Sequence, residues 1–206
     1  RFGIFEMGMN HPGELRTLTG FVRPHVAIVT TIAPAHIEFF KDEAAIADAK
    51  GEIFEGLEPG GTAIIPADSP HCERLRAKAL QHAGTVLTFG FASTADVRCD
   101  DFVESANGGS IITARMKSGL LQYELSQPGR HWIANSLAVL AAVEAVSGDL
   151  AVAGLALADL AGLKGRGARH MLNLAEGSAL LIDESYNANP ASMAATLDGL
   201  GQTSAD

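Results

Sequence analysis

GTAIIPADSPHCERLRAKALQHAGTVLTFG, residues 61–90, sets two short apolar runs on either side of a charged stretch. Thr62–Pro66 (TAIIP) and Thr85–Phe89 (TVLTF) are rich in β-branched residues and too short for helices, so each reads as a buried strand. Cys72–His82 between them reads as a helix. A strand, a helix and a second strand in close succession indicate parallel strands joined by a helical crossover.

The same alternation extends toward the N-terminus. Lys41–Leu57 has helical periodicity and stops at Glu58-Pro59-Gly60-Gly61. His25–Thr30 (HVAIVT) is a further β-rich run, with the loop Ala33–His36 at its end. Phe2–Met7 is apolar and closed by Gly8, which predicts another buried strand. Asn10–Gly13 (NHPG) is a turn, and Glu14–Val22 a short helix. Toward the C-terminus the texture changes. Asp96–Gln127 alternates and breaks at Asn107-Gly108-Gly109 and at Lys117-Ser118-Gly119, which predicts a small antiparallel region with two hairpin turns. His131–Val146 and Leu150–Ala161 read as helices, and Gly162–Gly167 (GLKGRG) as a linker. Met171–Ile182 reads as a hairpin around Glu176-Gly177. Pro190 suits the first position of a final helix, Ala191–Leu200. The pattern as a whole is α/β in three layers: a mostly parallel sheet with helices, plus a small antiparallel sheet.

Twenty-four acids against fifteen bases give a formal charge of −9, which argues against nucleic acid as the main partner. It leaves nucleotides open, because backbone N–H groups and a metal ion can hold phosphate. Cys72 and Cys99 are too few and too far apart for a disulfide framework or a zinc site. No apolar run approaches the ~20 residues of a membrane helix. No lysine follows a glycine, so the G-x-x-x-x-G-K-[ST] phosphate loop is absent from this stretch, and so is G-x-G-x-x-G.

Open α/β sheets bind ligands beyond the carboxyl ends of their strands. Glu6 and His36 fall at such ends. Each is equally compatible with a bland role, a salt bridge for the acid and a solvated ring for the histidine. Lys50 stands on the helix whose apolar stripe is Ile46, Ala49, Ile53 and Leu57. It therefore lies beside the buried face, either snorkelling to the edge or serving a site. The residues alone yield an acid, a histidine and a lysine near one sheet edge, and no reaction.

Six segments in order carry a resemblance: EMGMNHPGEL (6–15), APAHIEFF (33–40), AKGEIFEGL (49–57), PGRHWIANSLA (128–138), GRGAR (165–169) and DESYNANPASM (183–193). Together they are similar to the Mur ligase family along essentially the whole chain. The resemblance implies a central ATP-binding-type domain over residues 1–167, followed by the start of a C-terminal ligase domain over 168–206. It implies an ATP-dependent, amide-forming ligase of peptidoglycan synthesis that uses Mg2+ and is cytoplasmic and generally monomeric. In such an enzyme a carboxylate is phosphorylated and an amine attacks the acyl phosphate. The most similar member joins D-Ala-D-Ala to UDP-MurNAc-tripeptide. Glu6 and His36 match the family's metal-binding acid and histidine. Lys50 matches a lysine carried as a carbamate, an anion that can partner the metal, so Lys50 and His36 are the candidate catalytic residues. Asn135, with His131 beside it, matches a position near the adenosine. Arg169 matches a nucleotide-contacting arginine, with Arg166 as the alternative. Glu184, Tyr186, Asn187 and Asn189 match the loop that closes over ATP.

Trp132 stands where the family commonly has Asn, Thr31 where many members have Asn, and Glu184 where Asp is usual. The family's phosphate loop and its UDP-holding domain fall outside the chain, so the chain alone is expected to be inactive. Two other readings are a sibling ligase of the folylpolyglutamate type and a non-catalytic Mur-like binding domain.

Overall fold

The computed structural model describes residues 2–33, 40–160, 165, 167–186 and 190–201. Eight strands and six α-helices occur among them: α1 (Glu14–Val22), β1 (Val26–Ile28), α2 (Glu43–Gly51), β2 (Thr62–Pro66), α3 (Cys72–Ala79), β3 (Thr85–Gly90), β4 (Val97–Glu104), β5 (Ser110–Met116), β6 (Gly119–Leu125), α4 (Arg130–Ala145), α5 (Leu150–Ala158), β7 (Ala168–Leu174), β8 (Gly177–Asp183) and α6 (Pro190–Gly201). A 3-10 helix, Glu52–Gly56, continues α2.

The main sheet runs β1-β2-β3-β4-β5-β6, and β7-β8 form a separate hairpin. β1 to β4 are parallel, and β4, β5 and β6 antiparallel. The two halves meet through two residue pairs, Phe89↔Val97 and Gly90↔Arg98. Strand alternation sorts the core into two layers. From β2, Ile64 joins Phe89, Val97, Ile112 and Leu125 under Ile133, Leu137 and Leu140 of α4, with Leu157 of α5. Ala63 and Ile65 face the other way with Ala27 and Val29, against Phe54 of the 3-10 helix and Leu75 and Ala79 of α3. The expected three-layer α/β architecture is therefore present.

Two expectations change. Phe2–Met7 forms no strand, and Phe2, Ile4 and Phe5 are 80%, 96% and 63% exposed. An apolar run becomes a buried strand only beside a hydrogen-bonding partner and under covered faces, and this segment has neither among the described residues. The helix expected over Lys41–Leu57 begins at Glu43 and tightens to 3-10 at Glu52. At that point the buried Glu52 carboxylate turns to accept the Gly13 N–H at 2.8 and 2.9 Å. Gly56 then lies so close to α1 that a Cβ would sit 2.5 Å from the Thr19 carbonyl oxygen.

Candidate functional site

Lys50 lies half-buried in the last turn of α2, and its Nζ donates to the Thr31 carbonyl at 2.7 Å. The apolar stripe places it there: Ile46 and Ala49 are buried on the same helix. Burial pushes its ammonium below the ordinary lysine value, because desolvation penalises the charged form. Glu6 lies in the exposed, irregular segment before α1. His36 lies outside the described residues. Among the described residues, no three His, Cys, Asp or Glu side chains converge to hold a metal ion. Lys50 as an ammonium opposes a cation, so the described side chains in their ordinary forms do not make a magnesium site.

A second locality brings several candidate residues together. A shallow, solvent-open cleft lies between the start of α4 and the β7–β8/α6 unit. Three residues singled out from the sequence, His131, Arg169 and Glu184, line it. Gly129 starts α4 with φ 105°, which presents the 128–132 turn to the cleft. Next to it, the Arg130 guanidinium lies 3.8 Å over the Phe91 ring and 5.8 Å from Phe102. Phe91 is itself held by the Asp68 carboxylate, which accepts its N–H at 2.7 Å. The turn is thus pinned to the ends of β3 and β4.

Across the cleft, the Thr196 hydroxyl donates to Glu184 Oε1 at 3.1 Å, which orients that carboxylate. His131 keeps part of its ring in solvent, yet crowding by neighbouring atoms holds its imidazole below the usual value. Glu184 opposes that shift through its charge. The ring is therefore biased toward neutrality, with a carboxylate near it and the Arg169 guanidinium on the same rim. An aromatic surface, one cation and one anion suit a ligand with a flat ring and an anionic tail.

Asn135 is exposed one turn farther along α4, and Tyr186 is 67% exposed; neither lines the cleft. The Tyr186 N–H donates to the Gly165 carbonyl at 3.0 Å, which ties the end of the 183–186 stretch to residue 165. Asn187, Asn189 and the alternative Arg166 lie outside the described residues. Gln127, Trp132, Ile182 and Thr196 also line the cleft. Of these only Trp132 carried a signal in the sequence, as a departure from the usual residue after His131. The others come from separate elements and form no local motif.

Residues 1–143 match the Mur ligase middle domain. The UDP-N-acetylmuramoyl-tripeptide–D-alanyl-D-alanine ligase of Escherichia coli (strain K12) is 35% identical over 202 residues, covering 98% of this chain and 43% of that protein. The enzyme of the same name from Rickettsia prowazekii is 31% identical over 206 residues, covering 100% of this chain and 45% of that protein. A crystal structure of MurF from Acinetobacter baumannii superposes with TM-score 0.86 at 30% identity, over 96% of this chain and 42% of that one. The chain therefore spans less than half the length of the relatives it matches. A match of the middle-domain family over residues 1–143, with the sheet order and helix layers described above, places the chain in the Mur ligase family.

Proposed function

We propose that this chain is the middle of an ATP-dependent ligase that joins D-Ala-D-Ala to UDP-MurNAc-tripeptide, a monomer working in the cytoplasm. The observation that carries the nucleotide half of this reading is the meeting of His131, Arg169 and Glu184 at one cleft. The acceptor half rests on the ligases that the chain resembles over nearly all of its length. The reaction would form an acyl phosphate on the tripeptide carboxylate, which the amine of D-Ala-D-Ala attacks with loss of phosphate. Residues 1–167 would act as the central domain and 168–206 as the start of the next. In support, β7 begins at Ala168, outside the main sheet.

Lys50, Glu6 and His36 are proposed as the metal-holding set, with Lys50 as a carbamate. The depressed Lys50 ammonium supports this role, since the free amine is the form that adds carbon dioxide. The carbamate would replace a cation by oxygen donors suited to Mg2+. Asn135, Tyr186, Asn187 and Asn189 are proposed to approach the nucleotide when the next domain closes.

The test is ADP release by the full-length ligase, given UDP-MurNAc-tripeptide with and without D-Ala-D-Ala. Release that depends on D-Ala-D-Ala is expected. Release with another amine alone would point to a sibling ligase, and none under any condition to a binding domain. The 206-residue chain alone is expected to release none.

A further inference from the structure

We propose that Trp132 is a nucleotide-binding residue of the cleft: with His131 it forms the aromatic wall against which the planar base of a nucleotide stacks. The inference rests on the nucleotide reading above and adds a residue and a mode of recognition to it. Four observations support it. Trp132 and His131 both line the cleft, on adjacent positions at the start of α4. Their ring centroids are 5.9 Å apart with planes tilted by 44°, so the two rings form a continuous angled surface. Trp132 is half-buried and also packs against the cluster that contains Ile133 and Leu137, so it is backed by the core while bordering the open space. The turn that carries it is fixed from behind by Arg130 on Phe91.

A wall of this kind needs little reorganisation to receive a flat ligand. Stacking on an aromatic side chain is tolerant of which base is present, because every base has a π-face. The contribution thus comes from the ring itself and not from the apolar bulk of residue 132. An apolar residue of similar reach would preserve the packing against the core cluster but offer no ring.

Calorimetric titration of ADP into the full-length ligase separates these roles, using Trp132→Phe, Trp132→Leu and the parent protein. Phe is expected to bind ADP within about threefold of the parent, and Leu about tenfold or more weakly, at equal melting temperatures. Equal affinities for Phe and Leu would overturn the stacking role while leaving the nucleotide reading in place. Failure of the parent protein to bind ADP would defeat the nucleotide reading, and this proposal with it. If Leu melts well below Phe, Trp132→Met supplies an unbranched apolar residue for the same comparison.

Discussion

A lysine amine 2.7 Å from the Thr31 carbonyl on a half-buried helix face costs stability whenever it is charged. Its folded-state pKa lies below the ordinary value of 10.5, so the unfolded chain binds the proton more tightly. Stability contributed through Lys50 must therefore rise with pH from the folded value toward 10.5. Lys50→Met should leave the melting temperature at pH 7 equal or higher, with the difference vanishing as the pH nears that limit. Lys50→Ala in the full-length ligase should lower ligation severely with little loss of fold, and short carboxylic acids should restore part of it. Near-normal turnover in the alanine variant would end the carbamate reading.

His131 has the same sign at lower pH: its folded pKa is depressed from 6.5, so acidification below 6.5 favours the unfolded state. A proton NMR titration should place its midpoint below 6.5, and Glu184→Gln should move it lower still, since that carboxylate raises it. Of the cleft residues, His131, Arg169 and Glu184 were legible only through resemblance. Their meeting depends on elements far apart in sequence, which no spacing rule encodes.

At the level of elements, the junction of α1 with the 3-10 helix is held by specific contacts, among them an Arg16–Glu55 ion pair with Nη2 3.0 Å from Oε1. Glu52 accepts the Gly13 N–H on both carboxylate oxygens, with Arg16 Nη2 3.7 Å from its Oε1, and the Thr19 hydroxyl donates to the Ile53 carbonyl at 2.8 Å. Glu52→Ala strands a donor near the buried carboxylate's place and should cost about 1–3 kcal/mol in chemical denaturation. Gly56→Ala drives a methyl into the Thr19 carbonyl and should cost a similar ~1–3 kcal/mol by the same measurement. An unchanged denaturation midpoint in either variant would show that the junction yields freely.

The elements that sequence reading placed well are those with a period and a punctuation mark. Glu14–Val22, Thr62–Pro66 and the hairpins at Asn107-Gly108-Gly109 and Lys117-Ser118-Gly119 are examples. Phe2–Met7 was misread because an apolar run specifies a wish for burial and not the partner that would provide it. The shift from α to 3-10 at Glu52 was invisible for another reason: a long-range hydrogen bond sets it, and sequence periodicity does not.

Among the described residues, buried clusters lie on both faces of the main sheet, and two of the exposed apolar margins stand apart from them. One margin is the segment with Phe2, Ile4 and Phe5. The other is the β7–β8 hairpin, where Met171 and Leu174 are 65% and 57% exposed. Apolar margins of this kind mark surfaces that another chain segment or molecule covers. The 206-residue chain should bind a hydrophobic dye such as ANS in its folded state. Replacing Phe2, Ile4 and Phe5 by Ser should lower that signal without lowering the melting temperature. Unchanged dye binding would assign the signal to other exposed apolar side chains, those of the hairpin or Val152 and Leu155 of α5 among them.

The layer under α4 has a bearing on how the protein is made. Ile64 and Phe89 of the parallel half lie in the same cluster as Val97, Ile112 and Leu125 of the antiparallel half, roofed by Ile133, Leu137 and Leu140. The helix that supplies this roof is translated after all six strands of the main sheet. Synthesis proceeds at about 5–20 residues per second, so there is an interval of a second or more in which a nascent chain has every strand and only one covered face. During that interval the ribosome holds a sheet that is sticky on one side. The arrival of α4 is the event that covers that side.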